Sequence, residues 1–88
     1  MQHILLKEYY ANSLELVYNA DDLFENHIST ITDNEITIDF SGIEFMSASF
    51  TQQYVYHKRN CDKKIVEVNL SEAVAPMLHI IETRKRKE

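Results

Sequence analysis

The sequence predicts a small α/β domain of order β-β-α-β-α-β-α, and three observations predict it. Residues 35–40 set Ile36, Ile38 and Phe40 against Glu35, Thr37 and Asp39, the period-two alternation of a strand. Val74, Met77, Leu78 and Ile81 recur at +3, +4 and +7, the stripe of a helix buried on one face. The 88 residues include one glycine and one proline, too few backbone breakers for long loops. Strands alternating with helices imply right-handed crossovers and a mixed, partly parallel sheet with the helices packed on it.

From the start of the chain, Ile4, Leu5 and Leu6 read as a first strand. A turn at residues 10–13 leads to a second strand at 14–18, with Leu14, Leu16 and Tyr18 on one face, and the two would form an antiparallel hairpin at the sheet edge. Asn19 suits a helix cap, and Asp21, Asp22 and Glu25 follow where the helix dipole favours anions. Leu23, Phe24, His27, Ile28 and Ile31 keep helical spacing, so a helix is predicted over 20–31. After the strand at 35–40, Ser41-Gly42 is a turn, with Gly42 free to adopt a conformation closed to other residues. A second helix opens near Ser47–Ser49. Ser49 and Gln52 fit a capping box, and Phe50, Tyr54 and either His57 or Cys61 form its inner stripe. Residues 64–69 are the last strand, and Ser71 caps a third helix with Pro76 opposite its buried stripe.

Composition bounds function. One domain is expected over 1–88, with 83–88 a frayed basic tail. The single cysteine, Cys61, cannot pair internally, which fits a reducing cytoplasm. The N-terminus lacks the basic region and apolar core of a signal peptide, and no run of 18 apolar residues exists to span a membrane. Net charge is −5, unevenly spread. Residues 1–57 hold one base and nine acids, leaving −8, whereas residues 58–88 hold eight bases and five acids, leaving +3. The acidic part would repel nucleic acid and anionic lipid, so neither is an expected partner. The run Arg84-Lys85-Arg86-Lys87 reads as a solvated helix end, where cations suit the dipole.

The stretch Asp39-Phe40-Ser41-Gly42-Ile43-Glu44-Phe45-Met46-Ser47-Ala48-Ser49-Phe50 resembles the central segment of STAS domains, the fold of anti-sigma-factor antagonists. It is similar also to a STAS-like family of unknown function that carries a Ser-Phe pair at this place. The resemblance implies a non-catalytic regulatory module that binds a protein partner, such as a histidine-kinase-like ATPase that phosphorylates a serine at the helix N-terminus. Ser49 matches that serine. Two positions depart from the antagonists: Ser47 stands where they have an acid, and Phe50 where they have glycine.

Residues 41–56 are therefore the expected partner surface. Its candidate residues are Ser41, Gly42, Glu44, Ser47, Ser49, Gln52, Gln53 and Tyr56, with Asp39 at its base. Ser49 reads either as a phosphate acceptor or as a plain helix cap, and Ser47 competes for both roles. Asp39 has no partner carboxylate at a defined separation, so it is expected to hold the Ser41-Gly42 turn instead of acting as a catalytic acid. His3, His27, His57 and His79 show no metal-ligand spacing, and one glycine cannot build a phosphate loop. No catalysis and no cofactor are expected, and the protein should be a monomer or weak homodimer. The alternative is a structural domain that self-associates through an edge strand or the tyrosine-bearing helix.

Overall fold

A computed structural model describes residues 2–84; of the tail expected over 83–88, Thr83 still belongs to the last helix and residues 85–88 lie outside the described residues. The chain runs β1 (Gln2–Leu5), α1 (Lys7–Tyr10), β2 (Ser13–Leu14), α2 (Val17–Asp22), β3 (Glu35–Asp39), β4 (Phe45–Met46), α3 (Ala48–Arg59), β5 (Lys64–Val68) and α4 (Ala75–Thr83). Between α2 and β3 the helix continues as a π-helical turn, Leu23–His27, and a 3-10 turn, Ile28–Thr30. β1, β3 and β5 form one sheet in that order, and β2 pairs with β4 in another. Among the described residues every pairing is parallel.

The α/β class and the alternation at β3 agree with the sequence. Ile36 and Ile38 are fully buried, as is Phe40 just beyond the strand. The register aligns Ile4 with Ile38 and Ile36 with Ile65, so these share one face of the sheet. Helical side chains close the core on that face, where Tyr54 of α3 meets Phe40, Phe24 and Phe50 at ring separations of 6.1, 5.6 and 6.0 Å. Leu5, Val66 and Val68 point to the other face and stay half-exposed. Val74, Leu78 and Ile81 are buried in the expected stripe, with Met77 half-buried beside them.

The antiparallel hairpin does not form, and the larger sheet is all parallel instead of mixed. After β1 the chain coils directly into α1, where the N–H groups of Tyr9 and Tyr10 both donate to the Leu6 carbonyl. That turn carries β2 away from β1 and lays it along β4, Ser13 beside Phe45 and Leu14 beside Met46. Of the expected strand face only Leu14 is buried, while Leu16 and Tyr18 are 59% and 69% exposed. The helix expected to start at residue 20 begins instead at Val17, because Ala20, Leu23, Phe24 and Ile28 supply a helical buried stripe. Ser71 heads a preliminary turn, its hydroxyl accepting from Ala73 N, and α4 proper starts at Ala75 with Pro76 in its first turn, where no N–H is needed.

Candidate functional site

The capping serine of α3 is Ser47, not Ser49. Ser47 adopts an extended backbone, its hydroxyl accepts from Phe50 N at 3.0 Å, and it donates to the Glu15 carbonyl at 2.8 Å. One hydroxyl thus closes the helix end and ties it to the segment after β2. Ser49 follows inside the first turn and faces solvent, with no part in a capping box. Both serines fit a capping pattern in sequence, and the hydrogen bond from Phe50 N to Ser47 Oγ identifies the cap.

The expected partner residues divide by what they touch. Asp39 is turned inward as a structural junction. Its Oδ1 accepts from Asn69 Nδ2 and from Ser41 N, both at 2.9 Å, and its Oδ2 lies 2.9 Å from His3 Nε2. The Asn69 amide, then the Ser41 N–H and His3, outweigh desolvation and hold the carboxyl well below the usual carboxylate range. The expectation that Asp39 braces the Ser41-Gly42 turn is thereby met, and the contacts to β1 and to the end of β5 add to it. Gly42 takes φ +79°, and a methyl placed on it would lie 2.8 Å from Lys7 Cδ. Lys7 and Gly42 line a shallow cavity of about 470 Å³ with Glu44, at the carboxyl end of the sheet.

Asp39→Asn should lower stability at pH 7 by about 1–3 kcal/mol, since it weakens charge-assisted bonds to His3, Ser41 and Asn69. A carboxyl titrating below its unfolded value of about 3.9 contributes fully above about pH 5, and that contribution is lost as pH falls. Urea unfolding at pH 7 and pH 3 should therefore show the gap between wild type and Asp39→Asn narrowing in acid. A constant gap would assign the effect to shape and not to charge.

Ser49, Gln52 and Tyr56 are exposed on the outer face of α3, with Tyr56 half out in solvent. Gln53 instead turns toward α2, donating to Asp21 Oδ1 at 2.8 Å. Four exposed apolar residues missing from the sequence expectation lie near the start of this helix. Phe45, Leu16, Val17 and Tyr18 are 40–69% exposed. The parallel register that sets Leu14 beside Met46, with Ser47 bonded to Glu15, brings residues 16–17 to the N-terminus of α3. Their signal in the sequence is the run Leu16-Val17-Tyr18, read there as strand.

His57 also faces α2. Its Nε2 is 2.7 Å from Asp21 Oδ1, and its ring stacks on Phe24 at 5.1 Å. The His57 and Gln53 hydrogen bonds hold the Asp21 carboxyl below its ordinary range. Asp22 is lowered likewise, first by the Tyr10 hydroxyl at 2.6 Å and then by Asn26. Deeper in the domain, the buried Tyr54 hydroxyl donates to Glu67 at 2.5 Å, and Lys58 bridges Glu67 and Glu82. Each of these carboxylates thus holds a hydrogen-bond partner on another element or turn of the chain.

No protein-family model matches the chain, and no curated protein or solved structure matches it either. Among the described residues, no helix is long and apolar enough to cross a membrane.

Proposed function

We propose that this chain is a non-catalytic regulatory module of STAS-like type, which docks a partner protein through the start and outer face of α3. The observation that carries the proposal is the exposure of Ser49, Gln52 and Tyr56 on one helix face, beside exposed Leu16, Val17 and Phe45. An aromatic and aliphatic patch with a polar rim is the composition of a protein interface. Ser49 is its phosphate acceptor, in keeping with the resemblance over residues 39–50, and a histidine-kinase-like ATPase is the expected class of partner. A phosphate there would lie by the N–H groups of the first turn, which tolerate negative charge, so modification changes the surface and leaves the fold intact.

The two serines separate experimentally. Ser47→Ala should cost about 1–2 kcal/mol, since it removes the cap and the tie to Glu15. Ser49→Ala and Ser49→Asp should each stay within about 0.5 kcal/mol of wild type, as exposed positions do. Against a captured partner, Leu16→Glu should abolish binding, and Ser49→Asp should weaken it at unchanged stability. Equal binding by wild type and Ser49→Asp would remove the switch, and equal binding by Leu16→Glu would remove the surface.

One observation favours self-association as a second reading. β1 and β5 are both edges of the described sheet, and open edges can pair between chains. Sedimentation velocity over a wide concentration range tests it, with a rising sedimentation coefficient as the outcome in its favour.

A further inference from the structure

The packing of α2 against α3 gathers residues that no sequence spacing connects. Asp21, Glu25 and His57 each offer one ligand atom, and these atoms all lie within 4.8 Å of one another. We propose that these three residues bind a divalent first-row metal ion of the zinc class, held between α2, the π-helical turn and α3.

Four features support the site. Around a tetrahedral zinc at about 2.0–2.2 Å, ligand atoms sit roughly 3.3 Å apart. To reach that spacing, the 2.7 Å hydrogen bond of His57 Nε2 to Asp21 Oδ1 would open onto the ion while the exposed Glu25 moves in. Asp21, in α2, and Glu25, in the π-helical turn, are like charges four residues apart, a mildly unfavourable pair that a bound cation would relieve. Among the described residues neither carboxylate has a Lys or Arg ion-pair partner.

The other ligand atoms are already oriented. Phe24 stacks on the His57 ring at 15°, and Gln53 donates at 2.8 Å to Asp21 Oδ1, the oxygen that faces His57. Such outer partners fix ligand direction in metal sites. Glu25 and His57 also line a cavity of about 480 Å³, shared with Cys61 and Asp62. It leaves one side of the ion open for water or a further ligand. An imidazole with two carboxylates selects zinc, cobalt or nickel over magnesium and calcium, which prefer oxygen alone. This site stands independently of the docking surface, whose residues it does not use.

The test is calorimetric titration of the full chain with Zn²⁺, with Mg²⁺ and Ca²⁺ as comparison ions. One Zn²⁺ per chain is expected, with His57→Gln and Glu25→Gln each weakening binding about a hundredfold or more. Gln53→Ala should weaken it by about tenfold, as loss of an orienting partner does. In parallel, Zn²⁺ should shift the ring resonances of His57 in wild type more than those of His3, His27 or His79, a readout that needs no variant to fold. Absence of Zn²⁺ binding up to millimolar concentration would overturn the proposal. So would undiminished binding by folded His57→Gln, resonance shifts confined to the other histidines, or equal affinity for Mg²⁺.

Discussion

Phe40→Ala is expected to lower the unfolding free energy by about 3–5 kcal/mol, the usual range for truncating a fully buried phenylalanine. Phe40 is completely buried at the end of the central strand, and its ring meets the edge of Tyr54 at 6.1 Å. Its backbone N–H also donates to Val68 O, so the residue joins β3, β5 and α3 at one point. The cavity left by the ring would border Tyr54, whose hydroxyl is anchored to Glu67. A small domain is stable by roughly 5–15 kcal/mol, so the variant should approach the edge of folding. Chemical denaturation decides the matter. A loss of only a few tenths of a kcal/mol would mean that the end of β3 is not packed as described.

The second large effect is electrostatic. Burial works against the Lys58 ammonium, but Glu82 and Glu67 outweigh it and hold its pKa above the ordinary lysine value. Lys58→Met leaves those carboxylates without their shared cation, and Glu67 is the more enclosed of the two. Removing one partner of a fully buried pair costs about 3–5 kcal/mol. Lys58 and Glu82 retain some solvent access, so about 2–3 kcal/mol is expected at pH 7. Adding Glu67→Gln should recover part of that loss, because the amide still accepts from the Tyr54 hydroxyl and carries no charge to strand. A double variant no better than Lys58→Met would show that packing of the lysine stem, and not its charge, is what matters.

The elements that were legible in the sequence are those whose burial follows a single period. α4 buries one stripe, and β3 keeps its apolar letters on one face although Thr37 and Asp39 on the other are buried too, so Ile36, Ile38, Leu78 and Ile81 announce both the element and its inner face. The first twenty residues defeat this logic for a physical reason. Leu14, Leu16 and Tyr18 alternate as a strand would, yet Leu16 and Tyr18 are exposed and Val17 already belongs to a helix. Apolar residues reserved for a surface carry the same letters as those meant for a core. The expected site shows a similar split. The turn-holding role of Asp39 followed from its place before Ser41-Gly42, since that contact spans two residues. His3 and Asn69 lie 36 and 30 residues from Asp39, and Asp21 lies 36 from His57, so only the packed chain reveals those pairs.

The parallel sheet also decides the order in which the molecule can assemble. Gln2 pairs with Ile36 and Glu35 with Lys64, so each strand pairing must close a chain segment of 34 or 29 residues. No local hairpin offers a cheap beginning, and each closure meets its entropy before its contacts form. α2 and α3 can coil early, but β3 gains its second neighbour only when β5 is available. Refolding should therefore be slower than for a helical bundle of this length, and during synthesis β3 remains open on one side until Lys64–Val68 has left the ribosome.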